Sequence, residues 1–137
     1  VPDVQIFVSF DGAAPGSVPR YAPGTVVSGV ARVRAGSSVK CNHLRIRCLW
    51  QTEGRGDRDE GVIETKDVLQ GTLNAGEMRD FPFRFELPRE PWSYAGHYIN
   101  IVWGIGVELD VPWASNPKQF TPFVLAPTWA GGGATMR

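Results

Sequence analysis

The strongest pattern in the chain lies in residues 99–109, where Ile99, Ile101, Trp103, Ile105, Val107 and Leu109 occupy alternate positions. A period of two places all six on one face of a β-strand. Burying six such side chains is worth roughly 9–18 kcal/mol gross, at about 1.5–3 kcal/mol each. A face this apolar requires a second layer over it. The same period recurs with Val4, Ile6, Val8 and Phe10 in residues 4–10, and again in residues 26–33, interrupted by Gly29. In residues 44–50, Leu44, Ile46, Cys48 and Trp50 alternate with Arg45, Arg47 and Leu49. Residues 62–69 repeat the pattern weakly, with Glu64 and Lys66 inserted, as expected of an edge strand guarded by charge. Phe81, Phe83, Phe85 and Leu87 form a further strand, and residues 119–125 the last.

Turn-forming residues separate these runs. DGAAPGSVPR follows the first strand, Tyr21-Ala22-Pro23-Gly24 precedes the second, and Pro88, Pro91, Pro112 and Asn116-Pro117 interrupt the later chain. TEGRGDRDEG, residues 52–61, is polar and glycine-punctuated and predicts a mobile hairpin tip or a longer loop. Seven strand candidates without helical periodicity predict an all-β fold, a two-layer antiparallel β-sandwich of immunoglobulin-like type. Residues 1–126 are expected to form one domain and residues 127–137 a disordered tail.

Charge and cysteine content narrow the partners. Lys+Arg 14 balance Asp+Glu 14, and the pI is near 6.9, so the overall field does not attract nucleic acid. No window has the apolar length of a membrane span, so no transmembrane segment is expected. Cys41 and Cys48 lie seven apart, on opposite faces of a regular strand, which predicts free thiols and a reducing, cytoplasmic setting.

Candidate chemistry is sparse. Cys41, His43 and Cys48 offer soft ligands but no fourth partner, and Cys48 is expected to point away from Cys41. Glu53, Asp57, Asp59 and Glu60 lack the fixed spacing of a calcium loop and alternate with Arg55 and Arg58. Neither His43 nor His97 has a neighbour that completes a nucleophile and base, so no catalytic, metal or cofactor residue is expected. Tyr94 is expected to close a corner by bonding backbone, and Gly104 and Gly106 to admit a bulge or an aromatic ring.

Two stretches carry a resemblance. Tyr21-Ala22-Pro23-Gly24-Thr25-Val26-Val27-Ser28-Gly29 is similar to the entry motif Y-x-P-G-(D/E)-x-V-x-G of the arrestin-like superfamily. Phe83-Arg84-Phe85-Glu86-Leu87-Pro88, then Pro91-Trp92-Ser93-Tyr94-Ala95-Gly96, then Leu109-Asp110-Val111-Pro112-Trp113, resembles its F-x-F-x-L-P … P-S-Y-x-G … L-D-x-P-W series. The likeness is nearest to the bacterial sporulation-control and arrestin-domain adaptor branches. It implies a single arrestin-like sandwich, non-enzymatic, serving as a scaffold or adaptor. Family members usually carry two such sandwiches in tandem, and here there is one.

The interaction surfaces expected from the residues are two. If consecutive strands pair, Arg32, Arg34, Lys40, Arg45 and Arg47 make a basic stripe for acidic peptide, phosphate or anionic lipid. Trp92 and Trp113 flank the central strand, where they cap the sandwich or anchor a partner. The leading expectation is a protein partner, or a second copy, added at a sheet edge; peripheral attachment to an anionic membrane is the alternative.

Overall fold

The computed structural model describes residues 3–56, 58–112 and 114–127. Nine strands and no helix are found among them: β1 (Val4–Phe10), β2 (Arg20–Tyr21), β3 (Val26–Ala35), β4 (Val39–Gly54), β5 (Glu60–Leu73), β6 (Met78–Glu86), β7 (Tyr94–Ala95), β8 (Ile99–Asp110) and β9 (Lys118–Leu125). The seven expected strands are all present; the two additional ones are two-residue bridges that alternation cannot reveal. Of the tail expected at residues 127–137, residues 128–137 lie outside the described residues, as does Trp113.

A three-stranded sheet, β1-β3-β6, covers a larger sheet ordered β2-β9-β8-β4-β5, with β7 on β8. Composition explains the close approach of the layers. The middle strand of the small sheet turns Gly29, Ala31, Val33 and Ala35 inward, and Phe81, Phe83 and Phe85 of β6 flank them. The large sheet answers with Leu44, Ile46, Cys48, Trp103, Ile105, Val107 and Leu109, all buried. Trp103 is fully enclosed, and its indole N–H donates to Pro91 O at 2.8 Å, so its polar atom is not stranded.

The sequence expectation for β8 is met at Trp103, Ile105, Val107 and Leu109 but fails at its start. Ile99 is 38% exposed and Ile101 half-buried. Both face the same way as Trp103, in the part of β8 that pairs with Thr52 and Gly54 of β4 and with β7.

Cys41 also departs from expectation. The β4–β5 register shifts between Cys41 and Leu44, and Gly71, opposite Cys41, takes a φ of 138° that favours glycine. This bulge reverses the phase, so Cys41 and Cys48 are both buried on the core side instead of on opposite faces. Burial pushes the Cys48 thiol up to about 12, with Glu64 adding to it, and burial raises Cys41 as well.

On the outer face of β8, the ring of Phe120 lies over Gly104 and Leu49 lies over Gly106, leaving no space for a Cβ at Gly104. The glycines therefore admit neighbouring side chains, as the sequence suggested. The polar hairpin is tighter than expected: β4 and β5 continue to Gly54 and from Glu60, and Thr52 and Asp59 close the end through two backbone amides.

Candidate functional site

The flanks of the two sheets differ sharply. On one side, the turn at residues 74–77 joins β5 to β6, and Lys66 Nζ reaches from β5 to donate to Arg84 O at 2.8 Å, with its ammonium 5.1 Å from the Phe85 ring centre. Lys66 thus bridges the two sheets on that side. On the other side β1 pairs only with β3 among the described residues, and its second edge is bare.

The bare edge lies in a groove. Residues 4–7 face residues 115–119 at one end, and residues 7–10 face the loop at 13–18 with Thr121 and Pro122 at the other. VQIFVSF, the whole of β1, contains no charged residue and no proline. Exposed edges normally carry such residues to repel a foreign strand. The long edges elsewhere carry them: β6 has Pro82 and four charged residues besides (Arg79, Asp80, Arg84 and Glu86), and β5 has Glu64, Lys66 and Asp67. Phe7, at the centre of β1, is 55% exposed.

The expected arginine stripe is not assembled. Arg32 and Arg34 lie on β3 and face outward from the small sheet, whereas Arg45 and Arg47 lie on β4 and face outward from the large one. Strands β3 and β4 are consecutive but do not pair, because the chain crosses between layers at residues 36–38. Lys40 follows Arg45 and Arg47 onto β4. Arg32 is engaged with Asp80 through two bonds of 2.7 and 3.0 Å. That bond and the guanidinium charge hold the Asp80 carboxyl below its ordinary value, and the same bond raises Arg32. The row Phe7, Arg32, Asp80 runs straight across the outer face beside the β1 groove.

Trp92 is 43% exposed, with its N–H bound to Arg89 O at 2.9 Å. Its ring, Tyr94, Pro91, Ile101 and Glu90 line a shallow cleft at the end of the sandwich. Tyr94 does not close a corner: it is 51% exposed, its ring lies over Gly96, and no bond from its hydroxyl is found among the described residues.

One polar cluster was not assembled by the sequence reading. The β4 bulge sets His43 Nδ1 2.5 Å from Asp67 Oδ2, with Gln70 Nε2 3.4 Å from the same oxygen. Partial desolvation raises the Asp67 carboxyl, but the bonds from His43 and Gln70 outweigh it and the net direction is down. No group of three or more metal-ligating side chains is found among the described residues. No helix among them is long and apolar enough to cross a membrane.

The family model for the arrestin (or S-antigen) N-terminal domain matches residues 56–129, more than half of the chain. The chain belongs to this arrestin family. The match takes in β5 to β9 and contains the second of the two motif stretches; the first, beginning at Tyr21, precedes it. Among solved structures, Spo0M, the sporulation control protein of Bacillus subtilis, shares the fold with a TM-score of 0.69 and 17% sequence identity. The alignment covers 91% of this arrestin-family chain and 50% of that one, so the chain spans about half the length of that structure. A search of curated protein sequences found no match.

Proposed function

We propose that this arrestin-family domain is a non-enzymatic binding module of the cytoplasm that takes an extended segment of a partner protein along β1. The observation that carries the reading is the seven-residue edge of β1, uncharged and free of proline, lying in a groove, while the opposite edge, β6, carries Pro82 and four charges and is bridged to β5 by Lys66. An added strand would satisfy the bare backbone groups of β1 through main-chain hydrogen bonds, which supply affinity with little regard to sequence. Its alternate side chains would extend the half-buried row of Val4, Ile6 and Val8 on one face and lie beside Phe7 on the other. Two buried, unpaired thiols fit a reducing compartment. A bilayer would meet Arg32 and Arg34 or Arg45 and Arg47, never both pairs together, so the continuous stripe behind the anionic-membrane alternative is divided between two faces.

The test is selection of linear peptides against the whole chain, followed by amide hydrogen exchange. Binding is expected to slow exchange at β1 amides and to weaken at least tenfold in the double variant Gln5→Lys, Phe7→Lys. Peptides that bind without slowing those amides overturn the reading. Slowing of the same amides without peptide, at a mass of two chains, transfers the edge to a second copy.

A further inference from the structure

The cleft at the end of the sandwich combines two features that seldom occur together on a surface without a partner: its aromatic side chains are exposed, yet the backbone that carries them is pinned. Trp92 bonds Arg89 O, the buried Trp103 bonds Pro91 O, and Ser93 is tied to β9 twice, its N–H donating to Leu125 O at 2.8 Å and its Oγ accepting from Leu125 N at 2.9 Å. Tyr94 is paired with Ile101 across β7 and β8. Two large aromatic faces are thus presented in fixed positions, with their ordering already completed before any ligand arrives.

The charge at the cleft has one sign. Glu90 lines it, and no ion pair to Glu90 is found among the described residues. The neighbouring Arg89 guanidinium turns away to lie against Gly24. Aromatic faces and a carboxylate together attract an organic cation: the ring faces are electron-rich, and the carboxylate supplies the counter-charge. A planar guanidinium satisfies both, since it stacks on an aromatic face and donates two hydrogen bonds to a carboxylate, whereas a quaternary ammonium can do only the first.

We propose that the Glu90, Trp92, Tyr94 cleft receives an arginine side chain presented on an exposed segment of a partner protein. The site is separate from the β1 groove, and it stands whether or not that groove is ever filled.

The experiment titrates the 15N-labelled chain with an acetylated Gly-Pro-Arg-Pro-Gly peptide and with its citrulline counterpart, which keeps the shape and removes the charge. The arginine peptide is expected to move the Trp92 indole N–H and Tyr94 amide resonances and to bind at least tenfold more tightly than the citrulline peptide. Glu90→Gln is expected to remove most of that difference while leaving the melting temperature unchanged, because Glu90 is exposed. Equal affinity for the two peptides, or an unmoved Trp92 indole resonance, overturns the proposal. Phosphatidylcholine vesicles that sediment the chain, but not Trp92→Ala, also overturn it, and assign the cleft to a choline headgroup.

Discussion

Trp103 joins the two requirements of a buried aromatic in one residue: its ring fills the centre of the core, and its only donor is satisfied by Pro91 O. Trp103→Ala is expected to lower unfolding stability by about 3–5 kcal/mol in urea melts, the range for large-to-small changes in a packed core. A loss below about 1 kcal/mol would contradict the enclosed position. Cys48 sits in the same interior and gives a second residue-level expectation. Its folded pKa, raised to about 12 from an ordinary 9.0, is that of a thiol whose ionised form is excluded by burial. The stability linked to this group is complete below the ordinary value and is lost as pH rises through the folded one, so alkaline melts above pH 9 should show falling stability that Cys48→Ala lessens. At neutral pH a thiol reagent should leave the folded chain unlabelled and modify two cysteines after denaturation, a count read by mass spectrometry.

Strand identity was legible wherever alternation is uninterrupted, as in β1, β6 and the second half of β8, and in β3 despite Gly29. It was not legible at the β4 bulge, because one inserted residue exchanges the two faces and leaves no mark in composition. Cys41 was misplaced for that reason, and the His43, Asp67, Gln70 cluster went unassembled. Alternation also says nothing about which strands pair. The arginine stripe required the consecutive strands β3 and β4 to pair, whereas β3 pairs with β1 and β6. Nor did residue pattern show that β1 would be the bare edge; only the pairing reveals that its lack of charge is unusual. The attachment of β1 depends on Gly29, where a Cβ would stand 2.1 Å from the backbone oxygen of Ser9. Backbone cannot yield as a flexible side chain can, so Gly29→Ala is expected to destabilise by about 1–3 kcal/mol. Hydrogen exchange should report that loss first at β1.

Across the whole molecule, order should fall from the large sheet to the bare flank. Strands β4 and β8 are paired on both sides and enclosed by the small sheet, whereas β1 is paired on one side only. Native-state hydrogen exchange should therefore find the slowest amides in β4 and β8 and faster ones in β1, through local opening. Uniform protection across all three would contradict this gradient. The fold class and the family were within reach of the sequence because both rest on repeated local patterns and short motifs. The two candidate sites were not, since each is made by the way the sheets end: β1 at an edge without a neighbour, and the Trp92 cleft where β8 outruns its cover.

The asymmetry of the two flanks sets a limit on assembly. A sheet open at both borders can recruit strand after strand and grow into a fibre; one whose second border carries Pro82 and four charges and is bridged by Lys66 resists a second addition. For the three-stranded sheet this favours a complex on β1 that stops at one added strand.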